Sequence, residues 1–453
     1  MQSEMRKIWQ GAIDRRVFLR NSAALGAGLV IAPVVFGQSI GGSDDLNVAL
    51  LGAGAQGNVL MECATNIEGV RFKAVCDIWE KYNLQRTVNV LRRKGHEVAA
   101  YTDYREMLAK ETGLDAVIVA TPDFWHSEHT VACLEAGLHV YCEKEMSNTL
   151  AGARQMVEAQ KRTGKLLQIG HQRRSNPRYI YAYEKIVKEA KLLNRVTTAT
   201  GQWNRSRAAC EWQEWNPRIA MEEGVLKQYG YADMRQFKDW RWFKGLGGGP
   251  IVDLGSHQID IFSWFLGARP KSVLASGGTD YWTDREWYDT VMAIYEFETE
   301  QGTVRAIYKT GTTNGYQGFH EAFQGDKGTL VISEASGWND IYREKGVEAT
   351  EWEPWAKKGY VTLVKDTVKP VEKKVGVMDV RESPKPPRYA LQSVMDKPAH
   401  QPHLENFFAA VRGEAKLTCP AEVGYETAVM VLKVNEAVEA EKKLAFSPGE
   451  FAV

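Results

Sequence analysis

The sequence predicts two joined domains, an N-terminal α/β domain built on a parallel sheet and then an α+β domain built on a mainly antiparallel one. Between 46 and 169, short apolar runs alternate with helix-like segments, the pattern of a parallel sheet wound with helices. A glycine-rich loop directly follows the first of these runs. From about Asn194 the pattern changes to alternating apolar and polar residues, as in strands with one covered face. The chain's 453 residues also exceed what a single core usually organises.

Ahead of both domains lies the segment 1–37. Asp14-Arg15-Arg16-Val17-Phe18-Leu19-Arg20 contains a paired arginine, and 23–36 is an uncharged run of 14 residues. That run is too short to span a bilayer comfortably. A basic start, a paired arginine, an apolar core and the exit Val35-Phe36-Gly37 read as a twin-arginine export signal, so the twin-arginine machinery is an expected partner. The mature protein is then expected in the periplasm or otherwise outside the cytoplasm, without stable membrane insertion. Basic and acidic residues number 57 each, a balance that argues against nucleic acid or an anionic membrane as the main partner. The six cysteines (63, 76, 133, 142, 210 and 419) show no C-x-x-C and no metal-ligand spacing, so no metal site is expected. Export permits disulfides, but apolar surroundings and folding before export favour buried free thiols.

The first domain, 46–170, opens with the run 46–51. Runs 72–76, 116–120, 139–142 and 166–169 repeat its character, with helix-like segments 58–66, 103–109, 127–136 and 150–163 between them. Gly52-Ala53-Gly54-Ala55-Gln56-Gly57 fits G-x-G-x-x-G, and Asp77 ends the next run 25 residues after Gly52. In this strand–loop–helix context the loop reads as a Rossmann dinucleotide site. Gly52 permits the tight turn, Gly54 lets a pyrophosphate approach, and Gly57 lets helix pack on strand. The helix N-terminus at Ala55 and Gln56 faces the phosphates. Asp77 is placed to accept hydrogen bonds from the adenosine ribose and to repel a 2′-phosphate, which favours NAD over NADP. Thr121-Pro122-Asp123-Phe124-Trp125-His126 and Glu143-Lys144 follow later strands at the same sheet edge, where ligands sit. Lys144 there would stand over the nicotinamide.

The second domain, 171–453, carries strand patterns at 272–277, 290–298 and 302–310 and a helical tail at 403–443. Long segments interrupt it near 203–245 and 335–400. The second is rich in Lys, Glu and Pro and is expected to be surface insertion rather than core. Most of the 14 tryptophans follow residue 200, among them Trp203, Trp212, Trp215, Trp240, Trp242 and Trp264. Aromatic faces suit the C–H faces of sugar rings, and Arg173 can hydrogen-bond several hydroxyls. A carbohydrate or cyclic polyol is the expected small-molecule partner.

These motifs in this order resemble the glucose–fructose oxidoreductase, inositol dehydrogenase and rhizopine-catabolism family, written Gfo/Idh/MocA. The matching residues are the glycine loop, Thr121-Pro122 with His126, Cys142-Glu143-Lys144, Gly170-His171-Gln172-Arg173-Arg174, and the 247–260 stretch containing Asp253-Leu254-Gly255-Ser256-His257. The resemblance implies a Rossmann domain followed by an open antiparallel sheet that often forms homodimers or homotetramers. It implies that Lys144 touches nicotinamide and substrate, and that Asp253 and His257 form the family's Asp-x-x-x-His pair. Thr121, Pro122, His126 and Glu143 fall with Lys144 in the expected cofactor site. The family usually has Glu-Lys-Pro, whereas position 145 here is Glu, which removes a backbone constraint and adds a carboxylate.

The chemistry of these residue types agrees. Oxidising a secondary alcohol needs a base for the hydroxyl proton and an acceptor for the hydride. His257 titrates near neutrality and can take the proton, while Lys144 can stabilise the developing alkoxide. Asp253, one helical turn earlier, can orient the ring or the substrate. Lys144, Asp253 and His257 form the expected catalytic set, joined by Arg173 for substrate binding. A packed histidine and a helix-capping aspartate are the structural alternatives, and Asp260 suits either role. Free NAD is scarce outside the cytoplasmic membrane, so an exported enzyme is expected to hold its cofactor and restore it within the site. It can do so by reducing a second carbonyl compound. It can also return the hydride to the same sugar after elimination and hydration, as in the family's NAD-dependent glycosidases. A non-catalytic module binding sugar and NAD is a third reading.

Overall fold

The computed structural model describes residues 45–365 and 386–453, so the expected export signal lies outside the described residues. The first sheet comprises β1 (Leu46–Leu51), β2 (Val70–Cys76), β3 (Ala99–Tyr101), β4 (Ala116–Val119), β5 (His139–Cys142) and β6 (Leu167–Ile169). All are parallel, in the order β3-β2-β1-β4-β5-β6. The strand order reverses between β1 and β4, which opens a crevice at their C-terminal ends. Every residue of β4 is buried, as expected of a central strand covered on both faces. Helices α1 (Ala55–Ala64), α2 (Asp123–Glu135) and α3 (Leu150–Thr163) lie between the strands. The bounds of α3 are written in its ends: Thr149 accepts from the Gly152 N–H, and Gly164 closes the helix at φ +67°.

In the second domain, α4 (Gly249–Leu266) lies against a ten-stranded sheet. Its strands are β7 (Val196–Asn204), β8 (Pro270–Gly278), β9 (Thr290–Thr299), β10 (Gly302–Gly311), β11 (Phe319–Gly325), β12 (Gly328–Ile332), β13 (Asn339–Arg343), β14 (Val361–Leu363), β15 (Arg388–Leu391) and β16 (Leu444–Ala445). Among the described residues, only β7 and β10 run parallel; the remaining pairs are antiparallel. The α4 face of the sheet is buried. On the other face Leu274, Ile294 and Ile307 are exposed in one row across β8, β9 and β10, with Met292 beside them.

The described parts of the 335–400 segment, 335–365 and 386–400, depart from the expected surface insertion. They add β13, β14 and β15 to the sheet and bury Trp352 against Tyr389 at 5.0 Å between centroids. The segment's apolar residues are interleaved with Lys, Glu and Pro, so composition hides the burial of those in the described parts. The expected tail helix is two helices, α5 (Gln401–Val411) and α6 (Ala421–Ala440), separated by Gly413 at φ +81° and by Pro420. α5 returns to the first domain and places Leu404, Phe407 and Phe408 in the core around β1 and β2. All six cysteines are free and buried, in keeping with the thiol expectation.

Candidate active site

The glycine loop is shaped for a close-lying ligand. Gly52 has φ +93°, and a Cβ there would lie 2.6 Å from the Ala120 carbonyl carbon. A Cβ on Gly57 would strike the Gly52 carbonyl oxygen, so α1 packs tightly on β1 only with glycine present. Gly54 faces open space, and α1 starts without a side-chain cap, leaving its first N–H groups for an anion. Asp77 is oriented by the Ala53 N–H at 2.7 Å and the Trp79 N–H at 2.8 Å. Burial raises its pKa against these bonds. Cradle, free helix end and carboxylate together fit a dinucleotide.

One cleft of about 570 Å³ continues from Gly52, Gly54, Ala55, Gln56 and Asp77 past Thr121 and Pro122 to Glu143, Lys144, Asp253 and His257. Glu143 accepts from Gln56 Nε2 at 3.2 Å, which fixes the floor between the two loops. His126 lies behind this wall instead of in it. Its Nδ1 is 2.7 Å from the Glu145 carbonyl oxygen and its Nε2 is 2.6 Å from that of Thr121. The ring therefore ties the Thr121 loop to the Lys144 loop and presents no atom to the cleft.

At the far end Lys144 Nζ donates to the Asp253 carbonyl oxygen at 2.6 Å and to its carboxylate at 3.2 Å. Asp253 also faces Arg241 Nε at 3.0 Å and Arg205 at 4.0 Å. Against the cost of its burial, these three cations hold its carboxyl well below the usual range. Its carboxylate oxygens are thus engaged by cations and make no hydrogen bond to the His257 ring. His257 is buried and tilted against Trp203 at 5.5 Å, and burial with the Lys144 charge pushes its pKa well down. The ring is neutral at physiological pH. Asp123, at the start of α2, is also in the cleft, and burial pushes its carboxyl up to about 7.

Glu145, the departure from Glu-Lys-Pro, is fully buried with Oε1 accepting from the Met146 N–H at 2.7 Å. Burial pushes its carboxyl up to about 8, so it is neutral and does not compete with Asp253 for Lys144. The Lys144–Glu145 peptide is cis.

Arg173 is placed away from the cleft. Its guanidinium is buried, paired with Glu321 and with Glu334 at 2.9 Å, while its neighbour Gln172 lines the cleft. Asp260 is likewise structural, held by Arg174 at 2.7 Å and the Thr427 hydroxyl at 3.0 Å. Sequence reasoning missed Arg205, Arg241 and Asp123. Arg241 sits between Trp240 and Trp242 in the aromatic-rich interruption, and no spacing ties it to Asp253. Of the tryptophans flagged from composition, Trp203, Trp240 and Trp242 line the cleft, whereas Trp264 packs on Tyr183 and Phe265.

Comparison with known proteins agrees with this geometry. Residues 46–171 match the family model described as an oxidoreductase family with an NAD-binding Rossmann fold, and 218–331 match the GFO/IDH/MocA C-terminal domain. An inositol 2-dehydrogenase of Rubrobacter xylanophilus is 25% identical over 308 residues, covering 66% of this chain and 74% of that protein. An alpha-N-acetylgalactosaminidase of Shewanella oneidensis is 29% identical over 175 residues, 34% of this chain and 38% of that one. Where identity reaches 33%, the match is confined to 142 residues and 43% of the relative. In fold, the chain is similar to the WlbA dehydrogenase from Bordetella pertussis, solved with NADH and UDP-GlcNAcA. The TM-score is 0.62 at 16% identity, over 89% of this chain and 98% of that one. Its two domains matched in order, together over more than half its length, the chain belongs to the Gfo/Idh/MocA family of NAD-binding oxidoreductases.

Proposed function

We propose that this chain is an exported oxidoreductase acting on a secondary alcohol of a sugar or cyclic polyol, with NAD held in the cleft and restored there in each cycle. The observation that carries this reading is the Lys144–Asp253 contact, which sets a cation at the end of the dinucleotide cleft beside His257. Bound NAD supplies the hydride acceptor. Lys144 donates toward the substrate oxygen and stabilises it as its proton leaves. His257, kept neutral, offers a lone pair to that proton. Asp253 fixes Lys144, and Arg241 and Arg205 balance its charge. Trp203 and Trp242 offer apolar walls suited to a sugar ring.

The export reading rests on Arg15, Arg16 and the run 23–36. Replacing both arginines with lysine should trap a tagged precursor in the cytoplasm; unchanged export overturns it. The oligomer reading rests on the exposed Leu274–Ile294–Ile307 row, which a second copy of the sheet would cover.

A redox-cycling glycosidase is the second reading, favoured by the similarity to the Shewanella oneidensis alpha-N-acetylgalactosaminidase. With NAD as the hydride acceptor, the same cleft residues would support oxidation of a ring carbon, which acidifies its neighbour and permits elimination of the glycoside; water then adds and the hydride returns. Purified protein given sugars, polyols and aryl glycosides in D2O separates the two. Reduction of bound NAD without glycoside cleavage supports the oxidoreductase. Aryl release without net NADH, with solvent deuterium beside the oxidised carbon, supports the glycosidase.

A further inference from the structure

Apart from Arg205, Arg241 and Trp242, the interruption between β7 and α4 takes no part in the chemistry above, yet much of it rests on the cofactor domain. Leu226, Tyr231, Met234 and Trp240 of this segment share a separate apolar cluster with Trp79, two residues beyond Asp77. Phe237 meets the Trp79 ring edge-on at 5.5 Å. Three hydrogen bonds fasten the segment down. Trp79 Nε1 donates to the Ile219 carbonyl oxygen at 2.6 Å, Trp125 Nε1 to that of Tyr229 at 3.2 Å, and the Tyr229 hydroxyl to that of Thr102 at 3.1 Å. Trp79, Thr102 and Trp125 follow β2, β3 and β4, so the anchors surround the Asp77 end of the cleft. Tyr229, Tyr231 and Phe237 line that cleft together with Asp77. Much of 211–230 is open to solvent on its outer side.

We infer that residues 215–237 form the outer wall of the adenosine pocket, and that a bound dinucleotide leaves only when this strap lifts off Trp79, Thr102 and Trp125. The inference rests on the reading that NAD is retained between turnovers, and it names the element that retains it. Lifting the strap breaks three hydrogen bonds and exposes a packed aromatic cluster, so release is slow without any covalent link. The glycine loop and Asp77 provide affinity, while the strap governs exchange.

The test is the rate at which NADH, loaded on the whole protein, leaves on mixing with excess NAD, followed by NADH fluorescence. Tyr229→Phe removes one anchor and keeps every apolar contact; it should speed release about fivefold, and Trp79→Phe with Tyr229→Phe tenfold or more. Tyr181→Phe removes a tyrosine bond of similar length to the Tyr360 carbonyl, far along the second sheet, and should leave the rate unchanged. Slow release by the wild type with no acceleration in either strap variant overturns this inference and leaves NAD retention standing. Rapid release by the wild type overturns retention and the strap with it. Should the double variant unfold, Tyr229→Phe alone decides.

Discussion

Lys144 and Asp253 meet across the domain boundary, with Nζ 2.6 Å from the Asp253 carbonyl oxygen and 3.2 Å from its carboxylate. A cation from the end of β5 is thereby held by a residue in the first turns of α4. Lys144→Met keeps the side chain's bulk and removes the donor. It should lower substrate-dependent reduction of bound NAD by about 10²-fold or more, a loss on the scale of general acid–base groups. NADH binding measured by fluorescence should change much less. Unaltered reduction rates would remove Lys144 from the reaction.

Arg173 was expected to bind substrate, and its surroundings argue for stability instead. With Arg173→Ala, Glu321 and Glu334 lose their shared cation in a buried setting. Removing one partner of a buried pair typically costs about 3–5 kcal/mol. Urea unfolding should show a loss of this size. A raised KM with unchanged stability would return Arg173 to the substrate.

These two residues show what could be read in advance. Lys144 was legible because a lysine at a strand end, beyond a glycine loop, has a fixed place over a parallel sheet. Asp253 and His257 were singled out by the resemblance, as the counterpart of the family's Asp-x-x-x-His pair; their i, i+4 spacing adds only that both lie on one helix face. Arg173 looked the same in sequence; its partners Glu321 and Glu334 lie about 150 residues away on another part of the second domain, and no local pattern reveals that. Arg241 was missed for the converse reason, since its neighbours in sequence are aromatic and its partner Asp253 comes from another element. β3, only Ala99–Tyr101 at a sheet edge, is too short to register as a strand.

The exposed row on the second sheet gives an assembly prediction. Ile294→Lys with Ile307→Lys places two charges in the row, one at its centre and one at its β10 end. If that face joins copies of the chain, sedimentation should move from a dimer or tetramer to a smaller species. An unchanged distribution would place the contact elsewhere.

Glu145 gives stability a pH dependence. Burial pushes its carboxyl up to about 8, well above the ordinary carboxylate range that applies once the chain unfolds. Between those values the folded state holds a proton that the unfolded chain has lost, so stability falls as pH rises through this window. Glu145→Gln fixes the neutral form. Its thermal midpoint relative to wild type should therefore climb from about pH 5 to about pH 9. A constant difference would mean that Glu145 ionises freely in the folded protein.

The same reasoning separates Asp123 from His257 in the reaction. Burial raises the Asp123 carboxyl to about 7, whereas burial and Lys144 push the His257 imidazole far below its usual value near neutrality. His257 is then already neutral throughout the working range and contributes no inflection near its ordinary pKa. Asp123, in the same cleft and coupled to Arg241, Lys144 and Asp253, does change charge there. A kcat/KM profile across neutral pH should show one inflection near 7. Asp123→Asn should flatten it, while the residual activity of His257→Gln should keep it at much lower amplitude. An inflection that survives in Asp123→Asn and vanishes in His257→Gln would reverse the assignment, making the histidine the titrating base.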